Sequence, residues 1–382
     1  MVSPMKTNGL TNSGQRRGGQ MVGGRSLPRP LALCAAILIT LTACGGAGTS
    51  SATPAASATP VATKPPTFDE AAEAKKLYDA AVAAKETELN FYGTINEAEA
   101  KPLIDIWNRA YPTIKLNYIR GDDNGLLSRV LTEEQSGKHN FDVLLGQNAH
   151  LLAAPGLSLS YLPPNAQLID PDYKDKAGQW IGLYANWNVI QINTDKIKKG
   201  EIKAYEDLAN AKYKGQILVD NSDYEWYAGL VAIRGQQQTD DLLQKIVNTA
   251  GVTNLTGHGN INDKVVAGEF PIALNNYLNQ AERSKRAGAP TEWIAVEPVV
   301  VQLGKYAISK SAPHPNAAKL LSNFLISFDA QKYLTSMGRI TTRIDVPNDP
   351  PNLVSGLKKY AAAPMQSDQQ NVIAAKMKQL FK

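Results

Sequence analysis

The chain has 382 residues, with 40 Lys and Arg against 35 Asp and Glu. Five of the basic residues, Lys6, Arg16, Arg17, Arg25 and Arg29, precede Cys44 in an acid-free stretch, so 35 of each sign remain beyond it. That balance removes the compositional case for a nucleic-acid partner, and two cysteines, Cys34 and Cys44, leave the fold without a disulfide framework.

The acid-free stretch runs into an apolar segment, residues 31–41, broken only by Thr40. A basic segment, a short apolar core and a small-residue exit predict a secretion signal over 1–43. The apolar run is too short to remain as a span, which needs roughly 20 residues. Leu41-Thr42-Ala43-Cys44 resembles the bacterial lipobox. The resemblance implies that Cys44 is diacylated and becomes the new N-terminus. Residues 45–66 read GGAGTSSATPAASATPVATKPP, too small and polar to fold. With Cys44 they form a flexible tether over 44–66, with a root-mean-square reach of about 25 Å. The body from Thr67 is long enough for two lobes. Its four histidines, His139, His150, His258 and His314, lack the spacing of a zinc site.

Thr67-Phe68-Asp69-Glu70 is a capping-box pattern that opens a helix. Leu77, Tyr78, Ala81 and Val82 keep helical spacing through Glu86. Residues 89–92 alternate as a strand that stops at Gly93. A helix over 97–111 carries Leu103, Ile104, Trp107 and Tyr111 on one face, and Pro112 ends it. Ile114, Leu116 and Tyr118 alternate as a second strand. A helix over 124–135 and a strand over 141–145 follow. Strand, helix, strand, helix, strand predicts an α/β layer structure with a mainly parallel sheet. Residues 155–180, rich in Pro, Asp and Gly, read as loop. Further strands are predicted at 189–193, 216–219, 270–274 and 299–308. Further helices are predicted at 205–211, from 226 to 234, and at 240–249, 263–267, 316–326, 329–337 and 366–380.

Four segments carry a resemblance to the periplasmic ferric-iron-binding proteins and related solute-binding proteins of ABC importers. They are 83–93 (AAKETELNFYG); 133–137 (EEQSG) with 141–143 (FDV); Tyr161-Leu162-Pro163 and Tyr173-Lys174-Asp175 with Trp180; and 268–277 (GEFPIALNNY). Their order and spacing span most of the body, from about Ala74 to Arg343. The resemblance implies a two-lobed, periplasmic-binding-protein-like α/β fold with a crossing-strand hinge and the ligand between the lobes. One lobe would comprise 67–183 plus 300–345, the other 184–299 plus 346–382. It also implies an exported, monomeric, lipid-anchored protein that delivers a small-molecule or metal solute to an ABC permease, with no nucleic-acid partner and no resident cofactor.

Loops at strand C-termini line the ligand crevice of open α/β sheets, and this rule selects the candidate residues. Tyr92 and Thr94 end the first strand; Thr94 equally reads as the cap of the next helix. Gln147 and Asn148 end the third strand and offer amide donors and acceptors, or form a simple turn. Asn186 and Trp187 lie near the hinge, where Trp187 could stack on a solute or fill a core. Relatives bind an anion at the turn corresponding to Ser222 and Tyr224, but Asp223 between them would repel one. Asn276 and Tyr277 match the point where iron-binding relatives present two adjacent tyrosines. Here Leu278 follows Tyr277, no His stands in Thr94-Ile95-Asn96, and no acid stands in Gly146-Gln147-Asn148. Tyr277 remains a metal candidate, with Fe³⁺ as a transported ligand. A small organic or oxyanionic solute is the main reading. An unrecognised secreted lipoprotein enzyme stays open as a different class, although G-x-S-x-G, P-loop and H-E-x-x-H motifs are missing.

Overall fold

The computed structural model describes residues 68–382. The signal over 1–43, Cys44, the tether to 66 and Thr67 lie outside the described residues. The first helix, α1 (Glu70–Ala83), is capped by Asp69, whose carboxylate accepts from the Ala72 N–H at 3.0 Å. The cap therefore sits two residues after the predicted Thr67.

The first lobe grows from β1 (Glu88–Gly93), α2 (Glu97–Ala110), β2 (Lys115–Arg120), α3 (Asp123–Gln135) and β3 (Val143–Gly146). The helices carry the chain back over the sheet, so β1 pairs parallel with both β2 and β3. Two long strands then cross between lobes. β4 (Ile181–Asn193) and β9 (Val299–Ile308) are buried along their entire lengths. Residues 181–187 of β4 pair with β9, which in turn pairs with β3. Residues 188–193 pair instead with β7 (Ile272–Tyr277) and β8 (Thr291–Ile294). The second sheet is completed by β5 (Ile217–Val219), parallel to β7 and to β6 (Thr253–Asn254). Every antiparallel pair between named strands involves β4 or β9, so each lobe is parallel except where the crossing strands enter it.

Around the second sheet lie α4 (Tyr224–Arg234), α5 (Gln236–Ala250), α6 (His258–Val266) and α7 (Leu278–Arg286). Helices α8 (Pro315–Leu325) and α9 (Phe328–Ser336) return to the first lobe, and β10 (Ile340–Thr341) pairs with β4. β11 (Lys359–Ala361) and α10 (Ser367–Leu380) close the chain. The predicted helix at 205–211 is two short 3₁₀ turns. Among the described residues no helix is long and apolar enough to cross a membrane.

Two large apolar cores mark the lobes. One gathers Trp107, Ile181, Val189, Leu321 and Phe324; the other gathers Ile190, Trp226, Leu243, Ile272 and Met377. The handover falls between Val189 and Ile190, six residues beyond the expected boundary. The tail is shared: Leu353 packs with the first core, whereas Ala362, Leu380 and Phe381 pack with the second.

Candidate functional site

The C-terminal ends of strands from both lobes meet at a cleft of about 480 Å³. The first lobe contributes Thr94 after β1, Arg120 at the end of β2, Gln147 after β3, and Arg339 just before β10. Tyr184 and Asn186 come from β4. The second lobe contributes Asp220, Ser222 and Asp223 after β5, His258 at the start of α6, and Tyr277 at the end of β7. A recess of about 340 Å³ adjoins it, sharing Asp123, Gln147, Ser222 and Thr256 and adding Asn148, Tyr224, Glu225 and Gln302.

Most of the sequence candidates converge here. Thr94 lines the cleft without capping α2; that task falls to Asn96, whose side chain accepts from the Glu99 N–H at 3.0 Å. The Gln147 amide donates to the Tyr277 hydroxyl at 2.7 Å, joining the two walls. Asn148 lies in the recess, donating to Asn124 at 3.1 Å and accepting from Gln370 at 3.2 Å. Ser222 Oγ is turned onto Asp220, 2.5 Å away. Tyr224 lines the recess. Asn276 is wholly buried and acts beneath the surface, accepting from the Tyr277 N–H at 2.8 Å. The Tyr277 ring reaches the cleft, stacked on His258 with ring centroids 3.4 Å apart.

Two candidates are corrected, and for Trp187 the cause is the pleat of its strand. Successive side chains of a strand point to opposite faces. Tyr92 turns away from the cleft into an apolar cluster with Phe141 and Leu144, its hydroxyl 3.2 Å from Glu133. Trp187 faces away from its neighbour Asn186, into a separate hollow lined by Tyr173, Ile340 and Val354.

The cleft also contains residues the sequence reading passed over. His258 stands in the sequence only as one of four histidines without zinc-site spacing, but α6 begins at this residue, five positions before the predicted start. A chain of side-chain amides sets its tautomer. Asn262 donates to the Asp263 carboxylate at 3.2 Å, so its oxygen is free to accept from Gln191 at 3.0 Å. The Gln191 oxygen accepts from Asn276 at 2.5 Å, and the Asn276 oxygen lies 3.2 Å from His258 Nδ1. An oxygen can only accept, so Nδ1 carries the proton. The neutral ring then directs its Nε2 lone pair toward Asp220 at 3.8 Å and Asp223 at 3.7 Å. These three do not form a group able to hold a metal ion.

Burial dominates the electrostatics. It pushes the Asp223 carboxyl well above its usual range, Asp220 adds to the rise, and the Gln302 hydrogen bond opposes it. Burial lowers His258 below the usual imidazole range, against the pull of Asp220 and Asn276. Burial also raises Tyr277, with Asp223 and Asp220 adding to the effect, so its hydroxyl keeps its proton at neutral pH. Arg339 at the cleft wall is bonded to Glu99 at 2.8 and 3.2 Å and lies 4.4 Å from the Tyr184 ring. Glu225 of α4 receives Lys305 of β9 at 2.9 Å, a second bond between the walls.

A family model described as bacterial extracellular solute-binding protein matches residues 103–364. The Iron uptake protein A1 of Synechocystis sp. is 26% identical over 262 residues, covering 64% of this chain and 71% of that protein. The periplasmic binding protein AfuA from Actinobacillus pleuropneumoniae, with exogenous fructose-6-phosphate bound, has a similar fold. Its TM-score is 0.66 at 20% identity, over 77% of this chain and 98% of that one. Iron-bound HitA from Pseudomonas aeruginosa gives a TM-score of 0.62 at 21% identity, with the same coverages.

Proposed function

We propose that this chain, which belongs to the bacterial extracellular solute-binding protein family, captures a small solute between its lobes and delivers it to the permease of an ABC-type importer. The observation that carries this reading is the cleft itself. Strand ends from two lobes supply Thr94, Gln147 and Tyr277 to one space, the usual ligand edge of α/β sheets, and the middle of β4 adds Asn186. A solute there touches both lobes at once and favours their closure.

Tyr277→Phe tests the reading because it keeps the ring and removes only the hydroxyl. Gln147 donates to that oxygen, so the hydroxyl hydrogen is left for a solute. Affinity should fall by about two- to tenfold, the equivalent of a lost hydrogen bond of roughly 0.5–1.5 kcal/mol. Calorimetric titration measures it, with solute-free unfolding as the control. An unchanged affinity would remove Tyr277 from the site.

Ferric iron is the second reading, brought forward by the iron uptake relative and favoured by a tyrosine at the cleft. The metal would have to displace a phenol proton that burial and two carboxylates hold in place. Ferric citrate should then produce a visible phenolate-to-metal band that Tyr277→Phe weakens.

We further propose that the exported chain is held to the envelope surface through a lipid on Cys44. Cys44→Ser should move the protein from the membrane to the soluble fraction, or leave its signal uncut. Detergent partitioning reads this, and a mutant that stays in the membrane fraction would end the lipobox assignment.

A further inference from the structure

We infer that the solute carries a cationic nitrogen, an aliphatic ammonium or guanidinium group, seated against Asp220 and Asp223. The inference rests on the solute-binding reading above and names the chemistry of that same cleft. It starts from acceptors that have nothing to accept. Asn186 Oδ1 and Glu225 Oε2 have no hydrogen-bond partner, and both residues are more than nine-tenths buried. Asn186 lines the cleft and Glu225 the adjoining recess. Among the described residues six other buried side-chain atoms also lack a partner, but only these two belong to residues that line the cleft or its recess, where donors from an occupant can reach them.

The rest of the wall asks for the same thing. Asp220 and Asp223 line the cleft beside a neutral His258 whose Nε2 presents a lone pair toward them. Asp123 lines both hollows from the opposite lobe. Two arginines, Arg120 and Arg339, line the first-lobe wall of the cleft, whereas Asp220 and Asp223 stand on the second-lobe wall. Arg339 is held by Glu99, Lys305 is turned onto Glu225 Oε1 and the Gln147 carbonyl, and Arg120 is exposed. On the second-lobe wall an anionic group would meet carboxylates and lone pairs. An ammonium or guanidinium group brings N–H donors and the charge that carboxylates in a low-dielectric wall favour.

The groups facing Asp223 are Asp220, Glu225 of α4, His258 of α6 and Tyr277 of β7, with Gln302 and Asn275 bonded to it. Three of the four titratable neighbours are acidic or phenolic, and the fourth is neutral when its Nε2 is bare. The empty cleft therefore favours a protonated Asp223, whereas a bound cation favours the carboxylate. Amine binding should release a proton, and affinity should rise with pH.

The test uses the purified chain with 1,4-diaminobutane, agmatine, lysine and 4-aminobutanoate as amine probes. Succinate, fructose-6-phosphate and ferric citrate are the contrasting probes. At least one amine should raise Tm at millimolar concentration. Its affinity should fall at least tenfold in Asp223→Asn and should climb between pH 5.5 and 8. If Asp223→Asn does not fold, calorimetry of the unaltered protein in two buffers of different ionisation enthalpy still counts the released proton. Amine binding without proton release, or at full strength in Asp223→Asn, overturns the seat at Asp223. Stabilisation only by succinate, fructose-6-phosphate or ferric citrate overturns the cation and leaves the importer reading standing. Silence toward all seven probes overturns the cation and withdraws support from the solute-binding reading as well.

Discussion

Lys305→Ala should destabilise the protein by about 3–5 kcal/mol, the range for removing one member of a buried ion pair. Lys305 is completely buried on β9. Its ammonium lies 2.9 Å from Glu225 Oε1 on the other lobe and 3.2 Å from the Gln147 carbonyl. Truncation strands the Glu225 carboxylate, whose second oxygen already has no donor. The reverse substitution is instructive. Lys305→Met with Glu225→Leu removes both charges and keeps similar volume, a change that is often neutral or stabilising. Urea unfolding of the single and double variants separates the two effects. A single variant losing less than about 1 kcal/mol, as surface ion pairs do, would show that this pair is solvated in solution.

Gly304→Ala should cost about 1–3 kcal/mol, the usual range for overpacking a filled core, and should abolish solute-dependent stabilisation. Gly304 of β9 lies directly across from Tyr184 of β4, and the tyrosine ring folds over the bare backbone. A Cβ at this position would stand 2.4 Å from two ring carbons. The ring has a way out, because Tyr184 lines the cleft. The methyl group therefore displaces Tyr184 into the space a solute needs, and Arg339 loses the aromatic face 4.4 Å from it. The prediction is a folded protein with a lower Tm that no longer responds to its solute. Full response with unchanged Tm would mean that the ring moves elsewhere at no cost.

Much of the fold is legible in the sequence because its local signals agree with its tertiary ones. Leu116 and Tyr118 alternate in β2, continuing the spacing of Ile114 just before it, and Pro112 separates them from α2. The first half of β4 is illegible for the opposite reason. Gly182, Ala185 and Asn186 have little strand preference, and this stretch is a strand because β9 and β10 pair with it on both edges. Helix α7 begins immediately after Tyr277 with no side-chain cap to announce it. At the site, the strand-end rule finds Thr94, Gln147 and Tyr277. Facing decides what the rule leaves open: Tyr92, next to the end of β1, and Trp187, in the middle of β4, both turn away from the cleft. Arg339 comes from the segment between α9 and β10, where no local pattern marks it. Asp223 is visible in the sequence as an obstacle to an anion, but its burial, which gives it meaning, exists only in the folded chain.

The strands at the lobe junction also dictate how the molecule can move. β11 is hydrogen-bonded to residues 299–301 of β9, and Val301 pairs in turn with Trp187 of β4. Two independent strings would let one lobe roll, yaw and twist against the other. Three passes laddered edge to edge make a plank that flexes across its face but shears only by breaking hydrogen bonds. Any closure of the lobes should therefore follow a single axis, like a door. On such an axis Gln147 would return to Tyr277 in the register seen here, 2.7 Å away.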